Sequence, residues 1–357
     1  MADDVLLGKI QDLSDLEIAT LLCLINQEHC IIDTEPGAIE DLTQELSLIA
    51  SNVFGLSHAI VDCSEHTTHD DLANSLLTDI AIRPRSPLRT RQDSYFSKSA
   101  AFRPLSRSPL SESFADKRKI ANVVIAKNLD NAPKQVQIQA LELVKTRRTF
   151  THTSMQNAPK PFLLIALTST GEGPRLTTHL NDHMFISHFH DPDDGFPNLD
   201  ELDDDGDSIS SVVKKKTTNE KQDAATNPIL TATDVEMLAH LSDEVMVSVD
   251  ITRYMHDIIA FLRLHRAVEG GISPLATRQF EKLVKSLAPL QGLYYATPSL
   301  VSLAAKKIYS HRIQIVTPER DRSMQWGSDL HAVEAALEDF GPDEVIDDVL
   351  SSVEIPV

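Results

Sequence analysis

The chain of 357 residues is short of three things. Its cysteines are few. Cys23, Cys30 and Cys63 are too scattered for a zinc-ligand spacing or a disulfide framework, and such usage is the habit of a reducing compartment, cytosol or nucleus. Long apolar runs are missing: no stretch reaches the roughly 18 residues of a membrane-spanning helix, and Met1-Ala2-Asp3-Asp4 carries no secretory pattern. Positive charge is scarce, with 33 Lys and Arg against 53 Asp and Glu, a net charge of −20. That balance opposes sequence-independent nucleic-acid binding, which requires cations to neutralise phosphates. Apolar residues are plentiful: at 41% of the chain they suffice for sizeable cores, and the length suits about two domains.

The strongest pattern lies at 120–170. Residues 120–126 are apolar, largely β-branched and free of charge, as in a strand buried on both faces. A turn containing Pro133 follows, then apolar residues at helical spacing (Val136, Ala140, Leu141, Val144), then a second apolar run at 162–167. Strand, helix, strand is a βαβ unit. Upstream, 16–25 reads as a helix and 29–32 as a strand. Pro36-Gly37 makes a turn, and an amphipathic helix runs on to Ala50, the strand–turn–helix frame of a phosphate-binding loop. Residues 54–63 read as a further strand.

Residues 83–119 differ in kind, with ten Lys and Arg, three acids, eight serines and four prolines. Their composition predicts disorder. Ser94, Ser106 and Ser108, each preceded by a basic residue, are candidate phosphorylation sites for a phosphopeptide reader; a passive solvated loop is the plain alternative. Only Tyr95, Phe96, Phe102 and Phe114 could stack on bases there, so nucleic acid is a poor partner. Residues 191–228, acidic and then polar, read as a disordered linker. Glu201, Asp203, Asp205 and Gly206 imitate half of a calcium loop, but Val212 stands where its closing Glu belongs. His179, His183, His188 and His190 lack a patterned carboxylate and predict no metal site. From Ile229 the periodicity is helical, at 232–241, 251–268, 273–287 and 297–311, punctuated by Gly270-Gly271 and Pro298.

Leu129-Asp130-Asn131-Ala132-Pro133 with Val136-Gln137, Gly271-Ile272-Ser273-Pro274 with Ala276, Tyr295-Ala296-Thr297-Pro298 and His311-Arg312 together resemble AAA+ ATPases of the MoxR and magnesium chelatase ATPase-subunit group. The resemblance implies a P-loop α/β parallel sheet with flanking helices, followed by a small all-α lid. It divides the chain into a core at 1–190, the linker at 191–228, a lid at 229–327 and an acidic helical tail at 328–357. It also implies ATP and Mg²⁺ as cofactors and hexameric rings as the assembly.

The residues at the nucleotide-handling positions oppose that chemistry. In the phosphate loop, Thr34, Pro36, Gly37, Glu40 and Asp41 stand in the frame, with Ile39 and Glu40 at the positions of its last Gly and its Lys. Lys127 and Asn128 replace the Walker B acids. Ser169 holds the sensor-1 position, His183 that of the arginine finger and Leu275 that of sensor 2. The expectation is a retained fold without hydrolysis, no bound cofactor and no metal. Such a chain would act through protein partners, in a homo- or hetero-oligomeric ring. A magnesium-chelatase-type ATPase and a stand-alone binding module are the alternatives. Lys127 is placed to neutralise Glu40 across the altered site.

Overall fold

A computed structural model describes residues 2–78, 119–150, 155–170, 176–200 and 228–356. Five parallel strands form its centre: β1 (Cys30–Thr34), β2 (His58–Asp62), β3 (Val123–Lys127), β4 (Leu163–Ser169) and β5 (Ile186–Phe189), in the order β2-β3-β4-β1-β5. The inner strands are charge-free where helices cover both faces, as the sequence predicts for β3 and β4. Alternate residues point to opposite sides. Ile32, Val123, Ile125 and Ile165 face α2 (Asp15–Asn26) and α3 (Ile39–Leu48), in one apolar cluster with α1 (Ala2–Gln11). Ile31, Val124, Leu164 and Ala166 face α4 (His69–Ser75), α5 (Lys134–Thr146) and α6 (Thr178–His183).

The lid consists of α7 (Ala232–Glu244), α8 (Val249–Leu264), α9 (Pro274–Leu290) and α10 (Pro298–Tyr309), and the tail of α11 (Leu330–Leu337) and α12 (Pro342–Ser352). Its sequence motifs are helix starts. Ser273 accepts the Ala276 N–H (3.0 Å) with Pro274 behind it, and Thr297 caps α10 in the same way with Pro298. Helix α8 ends at Leu264, short of the expected 268, because Val268–Gly270 leaves as a strand that pairs with Gln314–Ile315. Gly271, at φ +102°, has no room for a side chain: a Cβ would lie 1.9 Å from the Arg312 carbonyl oxygen.

Core and lid share one apolar cluster, from Ile32 through Leu24 and Leu283 to Ile346. Arg312, 2% exposed, pins the seam. Its guanidinium donates to the carbonyls of Ile308 (2.7 Å), Phe185 (3.4 Å), Asp182 (3.3 Å) and Met184, and to Gln279. Asn181 donates to the His311 carbonyl at 2.6 Å.

One expectation is corrected. Residues 191–200 belong to the folded core, not to a disordered linker. Asn198 and Leu199 donate backbone N–H groups to the buried carboxylate of Glu45 (3.2 and 2.9 Å), and the Asn198 amide bridges Glu45 and Glu17. Acidic composition hid this, because the acceptors are carboxylates on α2 and α3. At Pro228 the chain lies against Gly55, and the Leu230 N–H reaches the Val53 carbonyl at 2.9 Å. The predicted tract 83–119 (apart from Lys119) and residues 201–227, including Ser94, Ser106, Ser108 and the calcium-loop imitation, lie outside the described residues.

Two outcomes follow. Replacing Arg312 by Ala should cost about 3–5 kcal/mol in urea unfolding, because five acceptors at the seam lose their donor. His29 gives a pH signature. Its Nδ1 accepts the Leu164 N–H at 3.0 Å, and burial lowers its pKa to about 3. The unfolded chain binds this proton near pH 6.5 and the folded chain does not. Stability should therefore fall as pH drops below 6.5, by about 1.4 kcal/mol per unit from this group alone. The difference in slope between wild type and His29→Gln, from unfolding curves at pH 7 and pH 5, measures it.

Candidate functional site

The carboxyl ends of β1, β3 and β4 meet the start of α3, the place in an open α/β sheet where ligands gather. The turn between β1 and α3 is closed on itself: the Ala38 N–H bonds to the Glu35 carbonyl at 3.0 Å. No residue from Thr34 to Asp41 has a positive φ. A phosphate-cradling loop needs successive N–H groups turned inward by left-handed residues, and this turn has none. Pro36 and Gly37 are exposed, whereas Ala38 and Ile39 are buried. Thr34 is buried at the tip of β1. Its hydroxyl donates to the His190 carbonyl (3.0 Å) and its carbonyl accepts the Thr170 N–H (2.9 Å).

The first turn of α3 carries Glu40 and Asp41. Carboxylates there suit the positive end of the helix dipole, the end that a phosphate would otherwise use. Lys127, at the tip of β3, makes an ion pair with Glu40, joining the two positions that the sequence singled out. Asp62 stands beside Lys127 in register on β2, and Thr168 donates to the Asp33 carboxylate on β1. Alternation along the strands puts Lys127 and Asp62 on the α3 side of the sheet and Asp33 with Thr168 on the other, so the lysine's one ion-pair partner among the described residues is Glu40.

Asn128 is left-handed at φ +52°, its N–H bonded to the Leu167 carbonyl at 2.9 Å. Asn tolerates that conformation better than most residues, which gives it a backbone role here. Ser169 ends β4, half-buried, in register with Thr34. The sequence places Asp130 in a motif without giving it a role. It is buried, its Oδ1 has no hydrogen-bond partner, and burial pushes its carboxyl up.

His183 and Leu275 lie elsewhere. His183 closes α6, which packs against α5 and α9; burial, then Lys145, lowers its pKa. Leu275 is half-buried in the first turn of α9. A polar cavity of about 390 Å³ lies between α6 and the lid, lined by Asp182, Arg263, Ser273, Arg312 and Arg322 among others, but not by Leu275. The histidines are dispersed: His188 accepts from Lys307 at 2.9 Å, and His190 lies against Phe196 at 5.1 Å between ring centroids. Among the described residues no three His, Cys, Asp or Glu side chains are grouped to hold a metal ion, and no helix is long and apolar enough to cross a membrane.

Comparison with known proteins bears on the fold. Residues 260–331 match the family described as AAA lid domain. No curated protein matches the sequence. Among solved structures the chain resembles one titled a "putative ATPase" from Cytophaga hutchinsonii, with a TM-score of 0.64 over 99% of this chain and 97% of that one at 15% identity. Identity so low carries the fold and nothing finer. The chain has the AAA+ fold, a parallel α/β core with flanking helices followed by a helical AAA lid.

Proposed function

We propose that the chain is a pseudo-ATPase, an AAA+-fold protein that does not hydrolyse ATP and serves as a scaffold or chaperone-like adaptor for protein assemblies. The Lys127–Glu40 ion pair carries the reading: the lysine at the tip of β3 is committed to a carboxylate that stands at the expected lysine position. A triphosphate at the start of α3 would meet Glu40 and Asp41, with Asp62 beside Lys127 on the same side of the sheet. Two unit charges about 4 Å apart interact by on the order of 4 kcal/mol at an effective dielectric near 20, here with the unfavourable sign. The turn has no left-handed residue to aim successive N–H groups at a phosphate, and its Ala38 N–H is already taken by Glu35.

Protein partners suit the lid surface. Met246, Val249, Tyr294 and Tyr295 are 75%, 77%, 70% and 56% exposed, and Met246 and Tyr295 are bridged through backbone hydrogen bonds, so these side chains form a neighbouring apolar set. In this reading the partners are copies of the chain or related subunits in a ring, and phosphorylation at Ser94, Ser106 or Ser108 regulates a contact made by 83–119.

Calorimetry of the full chain with ATP, with and without Mg²⁺, should show no saturable binding at about millimolar nucleotide. Micromolar binding followed by hydrolysis would overturn the reading in favour of a magnesium-chelatase-type ATPase that drives metal insertion into a porphyrin. Light scattering should show an oligomer; a monomer at every concentration would leave only the stand-alone binding module. In a charge swap, Lys127→Glu and Glu40→Lys should each destabilise, by up to about 1 kcal/mol because Glu40 is largely exposed, and the double variant should recover most of that loss. Absence of recovery would show that the pair contributes nothing to the site.

A further inference from the structure

A second cavity, of about 520 Å³, opens between α2, α9, α10 and β5, away from the strand tips that meet α3. Its volume is that of a small-molecule site. The wall is aliphatic, with Ile18, Leu22, Leu283, Leu287 and Leu303 prominent, and no Phe, Tyr or Trp lines it. Lys307 and His188 also line it.

Lys307 Nζ lies 2.9 Å from His188 Nδ1. An ammonium has donors only, so the imidazole is the acceptor and is neutral. Among the described residues no carboxylate comes within ion-pair distance of Lys307, and His188 is its one hydrogen-bond partner. Asp15 lines the cavity from the exposed first turn of α2, and Asp343 acts from the start of α12; both favour the ammonium from a distance without touching it. Burial lowers the Lys307 pKa, and burial together with Lys307 lowers that of His188 to about 4. A partly buried cation whose only partner is neutral leaves room for an anion to complete it.

We propose that this cavity binds an aliphatic monocarboxylate, its alkyl chain against the leucine and isoleucine wall and its carboxylate on the Lys307 ammonium. One cation matches one head charge. A peptide in the same place would bring backbone N–H and C=O groups that an aliphatic wall cannot pair, whereas an alkyl chain brings none.

The test is calorimetry of the full chain with sodium decanoate, sodium octanoate and 1-decanol, kept below their aggregation limits. Decanoate should bind saturably, and octanoate more weakly by over about tenfold, since each lost methylene is worth about fourfold. Lys307→Met should weaken decanoate by about tenfold or more and leave decanol unchanged. Lys307→Met should also fold and melt at or above the wild-type temperature without ligand, because it removes an incompletely paired cation; Lys307→Gln serves if Met does not fold. Lys127→Ala should leave decanoate binding unaltered, which keeps this site separate from the nucleotide question. No saturable decanoate binding, equal decanoate affinity in wild type and Lys307→Met, or decanol binding as tightly as decanoate would each overturn the proposal.

Discussion

The lid holds its place because one guanidinium is buried at the seam. Arg312 leaves the end of α10 and donates into the carbonyls of 182–185, the segment between α6 and β5, while Gln279 on α9 receives it from the lid side. Burial lowers its pKa to about 10, with Asp182 as the nearest compensating acid, at 3.7 Å from Nε. A buried cation held by five acceptors tolerates little relative movement of its partners, because displacement strands it without water. The apolar cluster that runs unbroken from the sheet into the lid makes the same demand. Core and lid therefore share one continuous packed interior.

The strand tips agree with that rigidity. A nucleotide normally supplies charge that the site must balance; here the protein supplies both charges itself, as Lys127 and Glu40. The Ala38–Glu35 turn and the buried Ile39 close the space from below. The altered residues form one consistent arrangement: negative charge at the helix start, a lysine facing it, and an Asn whose backbone conformation fastens the end of β3 to β4.

Much of this was legible in the chain. The charge-free β-branched runs of β3 and β4 announced buried strands, and Ser273-Pro274 and Thr297-Pro298 announced helix starts because cap chemistry is local. The Lys127–Glu40 pair was legible too, because each residue occupied a position in a recognisable frame. Other features depend on contacts between distant segments. Helix α1 went unread, its apolar residues too few to show a period. Residues 191–200 looked like solvated acid until Glu45 and Glu17 were seen beneath Asn198. Lys307 and His188 are 119 positions apart, and only the folded chain brings them together.

The fastening of Asn198 and Leu199 to Glu45, and of Leu230 to Val53, has a consequence for how the two halves of the chain are joined. Both attachments fall on a single short stretch, the end of α3 and the turn beyond it. Leu199 and Leu230 are therefore held at nearly one address on the core, so the described parts of core and lid can keep their places whatever the number of residues between them, since lengthening the chain between two fixed points costs only a logarithm of its size.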